Sequence, residues 1–135
     1  MGYDCESMTE LQQEIHRRNR KAGWWDQGEK RNLAEVLMLI VTEVAEAMEE
    51  LRDPKTGKDI KFIKNICPRG YRRVGYLEKD KRGHDKPCGW DSELADVAIR
   101  LFDLAEATGV NLESIIREKM EYNLKRPHRH GGKLM

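Results

Sequence analysis

The sequence has little that would brace a small protein covalently or anchor it in a bilayer. Its 3 cysteines, Cys5, Cys67 and Cys88, are too few and odd in number for a disulfide framework, so free thiols in a reducing compartment are expected. No apolar run approaches the roughly 20 residues of a bilayer-spanning helix. The opening Met1-Gly2-Tyr3-Asp4-Cys5-Glu6 lacks the charged and apolar regions of a signal peptide, and a cytoplasmic location is expected. Charge of one sign is also missing. Lys+Arg 25 against Asp+Glu 24 leaves a formal net charge of +1, so no global field draws the chain to nucleic acid or an anionic membrane. Electrostatic function must reside in local clusters.

What remains is a chain of 135 residues, 39% apolar and 36% charged. With a mean hydropathy of -0.80 it can build a core only by segregating apolar residues onto amphipathic elements, which favours helices in one domain, residues 1–135. Ser7 and Glu10 have capping-box spacing, and Met8, Leu11 and Ile15 begin a helix that ends in the basic run His16-Arg17-Arg18-Asn19-Arg20-Lys21. Gly23-Trp24-Trp25-Asp26-Gln27-Gly28 predicts a loop or a tight helix entry. Leu33, Val36, Leu37, Ile40, Val44, Ala47, Met48 and Leu51 recur at helical spacing until Asp53-Pro54 and predict a second helix with that stripe in the core. Residues 54–90 change composition, with Pro68, Pro87 and β-prone pieces around Ile60 to Ile66 and Tyr71 to Leu77, and read as a hairpin-like insertion or flap. Asp91 or Ser92 can cap a third helix through Leu94, Val97, Ala98, Leu101, Leu104 and Ala105 that Gly109 stops. Asn111 caps a fourth, with Leu112, Ile115, Ile116 and Met120 on one side, before Pro127 and the basic tail His128-Arg129-His130.

On an ideal helix Glu43, Glu46 and Glu50 form a strip beside the apolar face of the second helix, and Glu93 and Asp96 flank the stripe of the third. Antiparallel packing of the two would bring Glu43, Glu46, Glu93 and Asp96 together. Such convergent acids repel unless they bind protons or a cation, and an all-oxygen set favours Mg²⁺ or Mn²⁺ over zinc. The plainer alternative is a solvated acidic face. On the fourth helix Lys119, Asn123 and Arg126 continue the strip begun by Leu112 and Ile115, as on a helix leaving the core to line a phosphate-binding cleft, or as ordinary fraying of its last turn. Trp24 and Trp25 offer a stacking surface for a nucleobase or core cover. Cys67, His84 and Cys88 lack a fourth ligand and match no standard zinc spacing.

Gly23-Trp24-Trp25-Asp26, Glu43-Val44-Ala45-Glu46-Ala47-Met48-Glu49, Glu93-Leu94-Ala95-Asp96-Val97, Glu118-Lys119-Met120-Glu121-Tyr122-Asn123 and Arg126-Pro127, in this order, resemble the MazG-like all-α nucleoside triphosphate pyrophosphohydrolases. The resemblance implies a four-helix-type bundle that assembles as a homodimer or homotetramer. It also implies Mg²⁺ held by Glu43, Glu46, Glu93 and Asp96, and nucleotide contacts from Lys119, Asn123 and Arg126. The implied activity is cleavage of a (d)NTP to the monophosphate and pyrophosphate, a housecleaning reaction of the nucleotide pool. One departure stands out: the stretch between Glu46 and Glu93 is longer than the family's usual connection, owing to the insertion, whose Lys86-Pro87-Cys88-Gly89 end looks like that of some members, phage-type ones included.

The reaction needs water in line with the leaving pyrophosphate and a group to take its proton, for which a ligand carboxylate or Glu50 is the candidate. A non-catalytic nucleotide-binding or protein-interaction module of the same fold is the main alternative. A carboxylate-bridged di-iron bundle expects Glu-x-x-His, which neither acid pair has. A nucleic-acid binder has only Arg72-Arg73 and the tail in its favour.

Overall fold

The computed structural model describes residues 7–26, 30–52 and 75–127. They form four helices and one hairpin: α1 (Met8–Lys21), α2 (Leu33–Glu50), β1 (Tyr76–Lys79), β2 (Asp85–Cys88), α3 (Trp90–Ala107) and α4 (Leu112–Leu124). The mostly helical chain with a small antiparallel insertion agrees with the expected class. No helix among these residues is long and apolar enough to cross a membrane. The chain divides into two compact units, one from Met1–Gly28 with Phe102–Met135 and one from Glu29–Leu101, so α3 contributes residues to both.

Helix ends follow local chemistry. The Ser7 hydroxyl accepts the Glu10 N–H at 3.1 Å, the Asn32 side chain accepts that of Ala34 at 2.9 Å, and the Asn111 side chain accepts that of Ser114 at 3.1 Å, each satisfying a donor the helix leaves open. Two helices stop by the same device. Gly109 at φ +74° lets its N–H reach the Glu106 carbonyl at 3.1 Å and that of Val110 reach Ala105 at 2.9 Å. Gly23 at φ +94° does the same for α1, its N–H reaching Arg20 and that of Trp24 reaching Asn19. Of the two expectations for the tryptophan segment the loop holds: residues 23–26 are turns that follow the end of α1; Gln27 and Gly28 lie outside the described residues.

The hairpin pairs Tyr76 with Cys88 and Lys79 with Asp85. Its turn is fixed by Asp80, whose carboxylate accepts the N–H groups of Arg82 at 2.8 Å and His84 at 2.9 Å. β1 falls at the end of the second β-prone piece, whereas β2 includes Pro87 and carried no strand signal; a two-stranded ribbon tolerates proline because one edge of each strand needs no partner. The stretches 60–66 and 71–74 lie outside the described residues. α3 starts at Trp90, directly after the hairpin, so Asp91 and Ser92 sit in its first turn and not at the cap. There the Ser92 hydroxyl donates to the Pro87 carbonyl at 3.0 Å.

Within α2 the buried residues are Val36, Glu43 and Ala47, a single strip of the helix. Leu37, Val44 and Met48, expected in the core, are instead more than half exposed, as are Met38 and Val41. The apolar arc of α2 is wider than the face its own unit covers. In the other unit buried polar groups sit beside Ala105: Gln12, 2% exposed, donates to the Glu106 carboxylate at 3.0 Å and the Val110 carbonyl at 2.8 Å. This ties α1 to the stop of α3, which makes that stop a test of the unit. Gly109→Ala places a Cβ at a left-handed backbone position and is expected to cost about 1 kcal/mol, read as a lower urea midpoint at unchanged slope.

Candidate metal centre

α2 and the start of α3 each carry two acids one helical turn apart. Oxygens of Glu43, Glu93 and Asp96 lie within 4.8 Å of one another, so both helices contribute to one cluster inside the Glu29–Leu101 unit. Glu43 is its buried member and is paired: Arg100 Nε donates to Glu43 Oε1 at 2.6 Å. Glu93 has the opposite environment. Its Oε2 is buried without a hydrogen-bond partner among the described residues. Burial, then the charges of Asp96, Glu46 and Glu43, push its carboxyl up to about 7. Burial and Glu43 also raise Asp96, against a partial offset from Arg100 and Lys86.

This set fits a hard divalent cation: every donor is oxygen, the donors converge, and one buried oxygen of Glu93 is left without a partner among the described residues. Glu46 lies beside Glu93, close enough to shift its proton affinity, but its oxygens are not in the group of three. Glu50, a candidate proton acceptor, lies two turns beyond Glu43 on α2 and is not in that group either. Arg100 is the residue the sequence reading missed. Its signal was positional, one turn after Asp96 and two after Glu93 on the same side of a helix.

The remaining candidates belong to the other unit. Trp25 donates its indole N–H to Asp103 at 3.0 Å and meets the His16 ring edge-on, with centroids 5.5 Å apart. Asp103, 7% exposed, also accepts from His16 Nδ1 at 2.6 Å and from Asn19 at 3.0 Å, so three donors hold one buried carboxylate. Beside them Gln13, His16, Arg17, Arg20 and Trp25 help line a cavity of about 530 Å³. Trp24 is 54% exposed and is not core cover. Lys119 is exposed with its ammonium 5.5 Å from the Tyr122 ring centroid, while Asn123 and Arg126 are partly covered. Cys88 and His84 join no cluster of metal-binding type among the described residues, and Cys67 lies outside them.

Two outcomes follow from these environments. Because the folded-state affinity of Glu93 for a proton exceeds its unfolded value of 4.5, its contribution to stability is complete below that pH and lost as pH rises through about 7. Metal-free protein is therefore expected to lose thermal stability over this window, and Glu93→Gln to remove that part of the profile. Asp103→Ala strands the three donors and is expected to cost about 3 kcal/mol by chemical denaturation, with a red shift of tryptophan emission.

Compared with known proteins, the chain matches no family model, no curated protein and no solved structure.

Proposed function

We propose that the protein is a Mg²⁺-dependent nucleoside triphosphate pyrophosphohydrolase, with Mn²⁺ as an alternative metal, releasing pyrophosphate from (d)NTPs. The observation that carries this reading is the meeting of Glu43, Glu93 and Asp96 from two helices, with a buried oxygen of Glu93 unpartnered among the described residues. The MazG-like motif order supports it, and with it a four-helix-type bundle.

Glu43, Glu93 and Asp96 would hold the ion, with Glu46 completing the set from its position beside Glu93. A divalent cation there neutralises phosphate oxygens and makes water easier to deprotonate. The chain's own task is then positioning. Glu43, fixed by Arg100, and the two acids of α3 define where the triphosphate's oxygens can lie. A ligand carboxylate or Glu50 is the proposed acceptor of the attacking water's proton. Lys119, Asn123 and Arg126 remain the proposed contacts to the nucleotide. Trp25 supports an aromatic ligand in its own unit, where Arg17 and Arg20 line the same cavity. The exposed apolar residues of α2 support assembly as a homodimer or homotetramer.

The second reading, a nucleotide-binding or interaction module without catalysis, draws on those same exposed residues. Incubation with individual NTPs and dNTPs and Mg²⁺, followed by a pyrophosphate assay, separates the two: release above background supports hydrolysis, and binding without release supports the module. Asp96→Asn and Glu46→Gln are each expected to lower release at least about 100-fold while circular dichroism stays that of the wild type. Full activity in either variant overturns its assignment. Lys119→Ala is expected to raise KM, and an unchanged KM places it outside the site.

A further inference from the structure

Arg100 stands out because it is a cation built into a cluster otherwise suited to bind one. Its Nε donates to Glu43 Oε1 at 2.6 Å, and the two side chains are 29% and 10% exposed, so the pair is largely withdrawn from water. α3 carries Glu93, Asp96 and Arg100 at intervals of three and four residues, which stacks them along one side. The guanidinium thus neutralises the Glu43 side of the cluster by contact and Asp96 through space, and leaves Glu93 uncompensated.

We propose that Arg100 is a tethered counterion that competes with the divalent cation for Glu43 and, once the cation is in place, receives phosphate oxygens of the substrate. This rests on reading the cluster as a metal centre. Without metal, the ion pair keeps a buried carboxylate from facing its neighbours unneutralised. When a dication approaches, the same guanidinium repels it and holds a lone pair that the ion needs. A polyphosphate reverses the balance, because pairs of its oxygens suit the planar guanidinium fork and their charge offsets both cations. Lys86 on β2 acts on Asp96 with the same sign, so the hairpin adds to the bias against metal alone.

The test is a pair of titrations on the full chain: Mn²⁺ alone, followed by electron paramagnetic resonance of the free ion, and inorganic tripolyphosphate at saturating Mn²⁺, followed by calorimetry. Arg100→Gln is expected to bind Mn²⁺ about tenfold more tightly and tripolyphosphate about tenfold more weakly than wild type. Opposite signs are the signature, since general loosening of the cluster would weaken both. Arg100→Lys keeps the charge and is expected to hold Mn²⁺ as wild type does, within about twofold. This variant also serves as the test where the Gln variant fails to fold. Unchanged or weaker Mn²⁺ binding in Arg100→Gln, or a tenfold change in Arg100→Lys, overturns the counterion role and leaves the metal centre standing. Absence of Mn²⁺ binding in wild type and both variants overturns the metal centre, and the counterion role with it.

Discussion

Repulsion between carboxylates that cannot move apart is the constraint on which the candidate site depends. Glu43 is fixed on α2, and Glu93 and Asp96 lie one turn apart on α3, so the three charges are held by backbone geometry and not by mutual attraction. In water, unit charges 4 Å apart interact by about 1 kcal/mol, and partial burial multiplies that several-fold. The cluster has three ways to lower this energy: a proton, an internal cation or a bound ion. It uses the second at Glu43, the raised proton affinity of Glu93 favours the first, and the donor set suits the third.

The contrast with Asp103 on the same helix shows why this arrangement points to a task. Asp103 is as buried as Glu43, yet His16, Asn19 and Trp25 all donate to it, so its lone pairs are well supplied. That is a carboxylate used as an internal fastener, joining α1 and the segment after it to α3. Glu93 has no such donors at its buried oxygen among the described residues. A fold that surrounds one acid with three donors and sets another among like charges, with only Glu46 to share a hydrogen bond, treats the two differently, and an acid in that second setting is suited to binding a cation or moving a proton.

Much of the local structure was legible in the sequence, because caps and stops are decided by a few adjacent residues. Ser7, Asn111 and Gly109 act where their spacing indicates. The acid pairs were legible for the same reason, since helical periodicity alone sets which side they occupy. Features that depend on distant partners were not. Asp103 reads as one more polar residue until His16, Asn19 and Trp25 meet it, and Arg100 reads as surface charge until α2 brings Glu43 to it. β2 was hidden because its pairing comes from the Asp80 turn and not from β-forming side chains. The exposure of Leu37, Val44 and Met48 was hidden because periodicity tells that an arc is apolar but not how much of it a neighbour covers.

That last mismatch bears on the acids themselves. The covered strip of α2 runs through Val36, Glu43 and Ala47, which puts a carboxylate at a position that a leucine would fill at lower energetic cost. Larger apolar side chains on the same helix, Leu37, Met38 and Val44, face outward while Glu43 faces inward. Selection for stability alone would exchange them, since a buried ion pair such as Glu43 with Arg100 commonly gains little over well-packed apolar residues of similar volume. The inverted placement therefore argues for two demands on α2 beyond folding: an acid required at the cluster, and an apolar outer arc suited to a further surface.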